Sequence, residues 1–154
     1  MNRRLLLVPS ATLLTSLALS DADAENFGKQ VISSPNAPEA IGPYSQAIKS
    51  GKTLYLSGQI AIDPKTKQLM PDASIEDQTR LALENLKAVL AADGLTMDSI
   101  VAATVFLTDL TDFAKMNEVY ATYFKNSPPA RATVEVAHLP RSAKVEIAAV
   151  AVHP

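Results

Sequence analysis

The stretch PPARATVEVAHLPRSAKVEI, residues 128–147, decides how this chain folds. Pro128 and Pro129 close whatever helix precedes them, and the Leu139-Pro140-Arg141 turn divides the rest into two strands, Ala132 to His138 and Lys144 to Val152. Side chains alternate across a strand, so Arg131, Thr133 and Glu135 share one face, and Ala132, Val134 and Val136 the other. In the last strand Glu146 shares a face with Ala148, Val150 and Val152, while Val145, Ile147, Ala149 and Ala151 fill the opposite one. Both faces of that strand are apolar. This predicts a central position in the sheet and takes Glu146 out of bulk water. A carboxylate held there costs desolvation energy unless something pairs with it.

Upstream, strand and helix signals alternate. Val31-Ile32 begins a short strand, and a loop with Pro35, Pro38, Gly42 and Pro43 follows. Ala47 to Lys49 and Thr53 to Ser57 form a hairpin across Ser50-Gly51-Lys52. Ser74 caps a helix with Asp77 three residues on, and Ile75, Thr79, Leu83, Leu86 and Leu90 recur at helical spacing until Gly94. Ile100 to Thr108 is a β-branched strand, and a second helix with Phe113, Met116, Tyr120 and Tyr123 on one face ends near Phe124. The order βββαβαββ makes an α+β sandwich in which two helices cover one face of a mixed sheet. The other face is left bare, and its apolar residues call for a partner, expected to be another copy of the chain.

Composition narrows the chemistry. A net charge of −2 gives no electrostatic draw toward nucleic acid or anionic membranes. With no cysteine there is no disulfide, thiolate metal site or cysteine nucleophile, and the two histidines, His138 and His153, lack metal-ligand company. No metal site is expected. At the N-terminus, Arg3 and Arg4 precede an uncharged apolar stretch, Leu5 to Leu19, and Ala22-Asp23-Ala24 stands before Glu25. Residues 1–24 read as a cleaved signal peptide, interrupted by Pro9, Ser10 and Thr15 and too short to remain a membrane helix, with residues 25–154 as one domain. A periplasmic or secreted protein follows as an expectation, with a mitochondrial transit peptide as the alternative.

Two readings stand for Arg131 and Glu146. They pair as a structural ion bridge across neighbouring strands, or they face a ligand. A resemblance bears on the choice. Pro129-Ala130-Arg131-Ala132-x-Val134-x-x-Ala137-x-Leu139 with Val145-Glu146-Ile147 resembles the signature of the reactive intermediate deaminase (Rid) family. Ala40-Ile41-Gly42-Pro43-Tyr44-Ser45-Gln46-Ala47, Leu56-Ser57-Gly58-Gln59-Ile60 and Asp112-Phe113-Ala114-x-x-Asn117 agree with it in order and spacing. The similarity is to the RidA group.

That resemblance implies a chorismate-mutase-like fold, a homotrimer with clefts at subunit interfaces, and no cofactor. It implies hydrolysis of 2-aminoacrylate and related enamine and imine acids to 2-oxo acids and ammonium. Arg131 would grip the substrate carboxylate through two parallel charge-assisted hydrogen bonds, a fork that lysine cannot reproduce. The Thr133 carbonyl would orient the attacking water; the family often has cysteine at this position, so thiol chemistry does not carry over whereas a main-chain role does. Glu146 would handle protons. Tyr44, which either stacks on the ligand from an adjacent subunit or rims the interface, joins Ser57, Gly58 and Ala132 as substrate contacts, and Asn117 would brace the Arg131 loop. Ser57 lacks the elbow and partners of a nucleophile. Two other functions compete: a non-catalytic small-carboxylate-binding or interaction module, and a ribonuclease or translation inhibitor, against which the net charge argues.

Overall fold

Gly51, with φ at 56°, lets the chain reverse between β2 (Ala47–Ser50) and β3 (Thr53–Gln59), and β1 (Gln30–Ile32) pairs with the far edge of β2. The computed structural model describes residues 28–70 and 72–154. The signal-peptide reading of residues 1–24 lies outside them. Among the described residues no helix is long and apolar enough to cross a membrane.

The remaining elements are α1 (Ile75–Ala92), β4 (Ile100–Leu107), α2 (Phe113–Tyr123), β5 (Ala130–Glu135) and β6 (Val145–Val152), which gives the expected βββαβαββ order. Ser74 caps α1 by accepting from the Asp77 backbone N–H at 3.1 Å, and Gly94, at φ 72°, turns the chain away after its end. Together the strands form one sheet in the order β1-β2-β3-β6-β4-β5. All pairings are antiparallel except β4 with β5. β6 is central, as its two apolar faces predict.

Both helices lie on one face. Leu54, Leu83, Leu86, Leu90, Val105, Leu107, Met116, Val145 and Ile147 are buried beneath them in a single core. Each such side chain contributes about 1.5–3 kcal/mol through its removal from water. On the opposite face Tyr55 and Val134 remain 53% and 41% exposed. A shallow groove beside Tyr55 runs along Ala102, Thr104, Ala148 and Val150.

Two sequence expectations need correction. The fifth strand begins at Ala130 and stops at Glu135, so His138 lies outside it. Parallel pairing of Ala102 with Ala130 extends its start, and the chain then leaves the sheet toward a tight turn, Pro140–Ser142, with Arg141 and Ser142 in the left-handed region. Nor are β5 and β6 neighbours, because β4 lies between them. The β4-α2-β5 segment is a crossover that lays β5 parallel to β4 at the sheet edge, so the following turn cannot close a hairpin.

Candidate active site

β3 carries an irregularity between Leu56 and Gln59, opposite β6. This break in register brings Gly58 against Glu146. A Cβ at Gly58 would stand 2.7 Å from Glu146 Cδ and 2.8 Å from Cγ, so no other residue fits here without moving the carboxylate. Glu146 points into a cavity of about 300 Å³ lined by Tyr44, Ser57, Gly58, Gln59 and Pro140 among others. It is half-buried, no ion pair reaches it among the described residues, and burial pushes its carboxyl above the ordinary carboxylate range.

The walls are tied by buried amides. Gln46 accepts from Ser34 N–H at 2.6 Å and donates to the carbonyls of Ser34 at 3.2 Å and Pro38 at 2.7 Å, which fixes the loop that makes one rim. From α1, Asn85 donates to the carbonyls of Ile60 and Ile62 at 3.1 and 3.0 Å. Ser57 donates to the Ser45 carbonyl at 2.7 Å, so its proton is committed while its oxygen can still accept. The Tyr44 hydroxyl accepts from Ile41 N–H at 3.3 Å, and 48% of the residue stays exposed at the mouth.

Arg131, Thr133, Ala132 and Asn117 are elsewhere. In the parallel pair Arg131 lies opposite Ala103 and Thr133 opposite Val105, both buried on the helix face. Glu146 lies opposite Phe106 on the open face. Arg131 and Glu146 are therefore two strands apart and on opposite faces, and the ion-bridge reading fails within one chain. What Arg131 does meet is aromatic: its Cζ stands 4.4 Å from the centre of the Tyr120 ring and 6.0 Å from that of Phe113.

The main chain of β5 is open. Val136 N–H donates to the Leu107 carbonyl, and backbone groups alternate sides along a strand, so the N–H and C=O groups of Arg131, Thr133 and Glu135 point away from β4 into the unpaired edge. Among the described residues Thr133 thus has a free carbonyl, while its hydroxyl is buried without a partner. Asn117 is half-buried on α2 and makes no side-chain hydrogen bond to the Arg131 segment among the described residues, so the expected bracing is not seen.

Sequence reasoning missed Gln46 and Asn85. Both were legible as amides set inside apolar surroundings, Gln46 two residues past Tyr44 and Asn85 on the inward stripe of α1.

A family model described as Endoribonuclease L-PSP matches residues 34–153. A RutC family protein of Pyrococcus horikoshii is 54% identical over 123 residues, covering 80% of this chain and 97% of its own. A 2-iminobutanoate/2-iminopropanoate deaminase of Mus musculus is 48% identical over 124 residues, covering 80% and 91%. Among solved structures, YyfA of Yersinia pestis, described as a protein of unknown function of the conserved Rid family, superposes with a TM-score of 0.79 at 50% identity over 82% of this chain and all of its own. TdcF of E. coli with bound serine does so with a TM-score of 0.78 at 45% identity, again over 82% of this chain and all of its own.

These relatives correct the periplasmic expectation. Relatives that carry a deaminase name include those of mouse, goat and cattle, whose cells have no periplasm, and these align over 90–91% of their own lengths. Fold, motif order and these identities agree: the chain belongs to the Rid family.

Proposed function

We propose that the chain hydrolyses small 2-imino and 2-enamino acids, of the 2-iminobutyrate and 2-aminoacrylate type, to 2-oxo acids and ammonium, in clefts that neighbouring copies complete within a homotrimer. One observation carries this reading. The cavity around Glu146 has no cation in its lining, while among the described residues Arg131 sits without a carboxylate partner on an open sheet edge of the same chain. A carboxylate substrate needs both, and a second copy docked along the bare face and edge supplies the missing half.

In such a cleft the arginine fork fixes the carboxylate and so the position of the imine carbon. Water held by the free Thr133 carbonyl adds its oxygen to that carbon. Glu146, whose raised pKa keeps it closer to neutral working pH than an ordinary carboxylate, moves protons from the water toward the nitrogen. The resulting carbinolamine expels ammonia, and the carbonyl forms. Serine bound to TdcF is an amino acid of the expected size, and the mouse relative's name is the proposed activity.

Serine binding also favours a second reading, a module that holds small carboxylates without turning them over. The ribonuclease named by the family model is disfavoured by a net charge of −2. The test is to generate the enamine in situ with a serine- or threonine-dehydrating enzyme and follow trappable imine. Faster decay with this protein supports the enzyme; unchanged decay with measurable 2-oxobutyrate binding supports the module. Mixing inactive Arg131→Ala and Glu146→Gln copies tests the shared cleft, since random assembly would restore roughly a quarter of the sites. No recovery, or a stable monomer in sedimentation, would sink it.

A further inference from the structure

Arg131 is held in an unusual way for a group expected to bind an anion. No carboxylate of the described residues pairs with it, and its guanidinium carbon lies over the Tyr120 ring with the Phe113 ring beside it. We infer that α2 supplies an aromatic platform, Tyr120 flanked by Phe113, which holds the Arg131 fork ready for a substrate carboxylate, and that Tyr120 is thereby a positioning residue of the site. The inference rests on the reading of Arg131 given above.

The physical case has four parts. A ring attracts a cation through the negative face of its π-system, and a guanidinium so held keeps its N–H donors available, whereas a carboxylate partner would occupy the donors that the substrate needs. A long side chain ordered before binding also loses less freedom when the ligand arrives. The platform itself is rigid: Tyr120 is 5% exposed, and its ring packs against Phe124 with centroids 4.5 Å apart. Burial pushes the Tyr120 hydroxyl's pKa up, and Arg131 opposes that shift through its charge and through its N–H donors beside the hydroxyl.

Phe113 and Tyr120 are seven residues apart, close to two helical turns, so both rings face the same way. Phe113 stays 40% exposed, a large apolar ring left at the start of α2 beside the arginine. That start is fixed from β5, because Glu135, on the same face as Arg131, accepts from the Leu110 N–H at 2.8 Å just ahead of the helix. The edge strand anchors α2 at one residue and receives the platform at another. Finally, no well-aligned hydrogen bond reaches the buried Tyr120 hydroxyl among the described residues, although the Arg131 guanidinium stands beside it. The ring carries most of the hold.

This separates the variants. Tyr120→Phe should behave as the parent, while Tyr120→Leu should raise both KM and the 2-oxobutyrate Kd about tenfold and leave kcat within about twofold, because carboxylate grip acts alike on ground and transition states. Binding of the uncharged amide analogue should not change. Phe113→Leu, at an exposed position, should show the same pattern at about two- to threefold. If Tyr120→Leu does not fold, Phe113→Leu and the NMR spectrum of the parent carry the test, since a guanidinium over a ring gives ring-current-shifted Arg131 side-chain signals. An unshifted Arg131, a Tyr120→Phe as impaired as Tyr120→Leu, or a folded Tyr120→Leu with unchanged Kd would overturn the platform. Shifted signals in a parent protein with no imine hydrolysis and no 2-oxobutyrate binding would support the platform and overturn instead the reading on which it rests.

Discussion

Around Glu146 the chain ties down its own walls: Gln46 clamps the rim loop, Asn85 reaches from α1 to two carbonyls, and Gly58 leaves a gap that the carboxylate fills. At Arg131 the backbone groups face an unpaired edge, and the side chain rests on rings. One half of the candidate site is finished by folding, and in the proposed assembly the other would come from a neighbouring copy. Half-built regions of this kind are where an isolated fold exposes what a second copy is to cover. Variants in the two halves should therefore fail in different ways.

The largest effect is expected at the open edge. Arg131→Ala removes two charge-assisted hydrogen bonds to the substrate and should lower kcat/KM on the order of 10³-fold. Arg131→Lys should recover little of this, because it restores the charge without the fork. Among the described residues no ion pair is broken, so the loss of stability should be limited to the cation–π contact with Tyr120, about 0.5–2 kcal/mol. A large drop in Tm with a proportionate loss of activity would mean that the edge is scaffold.

In the finished half, Glu146→Gln keeps shape and hydrogen bonding but cannot exchange a proton, and turnover should fall about 10²-fold while 2-oxobutyrate still binds. Breaking a buried pair would cost about 3–5 kcal/mol of stability. Among the described residues no ion pair reaches Glu146, so that cost should be missing from the melting curve unless a neighbouring copy supplies one. Normal hydrolysis by this variant would end its catalytic assignment.

The sequence made one half of the site more legible than the other. Alternation placed Glu146 on a central strand and put Arg131 with Thr133 and Glu135, and both placements hold, because side-chain period in a strand is local physics. What alternation cannot say is which strands are neighbours or how their faces relate. The turn at Leu139-Pro140-Arg141 divides two strands that follow each other in the chain, but the crossover through α2 sends β5 to the far side of β4, so they are not neighbours in the sheet. Tyr120 and Phe113 were visible as a helical stripe, yet their role toward Arg131 depends on a contact between α2 and β5 that no spacing in the chain encodes. Gly58 was legible as a motif residue; the reason for it is the register break that lays Glu146 across it.

Gly58→Ala probes that reason directly. An added methyl must displace the Glu146 carboxylate or shift β3 against β6, which should cost about 1–3 kcal/mol of stability and about tenfold in turnover. On top of Glu146→Gln the same change should cost little further activity, since both act through one group. Additive losses would show that Gly58 serves something other than room for Glu146.

The smallest expected effect is the dependence of stability on pH. Burial raises the Glu146 carboxyl above its ordinary value of 4.5. The folded state then holds this proton to higher pH than the unfolded chain, so between the ordinary value and the raised one the native state carries more protons, and stability falls as pH rises. Below 4.5 both states are protonated, and above the raised value both are ionised, so the contribution is flat on either side. Glu146→Gln lacks this term. Asp63 and Asp109, held below the ordinary range by hydrogen bonds from neighbouring loop residues, contribute the opposite trend, but equally in both proteins, so they cancel in the difference. Melting the parent and the variant side by side should therefore give matching Tm values at pH 4 and a variant more stable by no more than about 2 °C at neutral pH, the gap opening through the weakly acidic range. A variant less stable than its parent at neutral pH would mean that ionised Glu146 has a stabilising partner, which the Arg131 of a neighbouring copy would be in the proposed assembly, and repeating the comparison with Arg131→Ala as the background would tell whether that arginine is the partner.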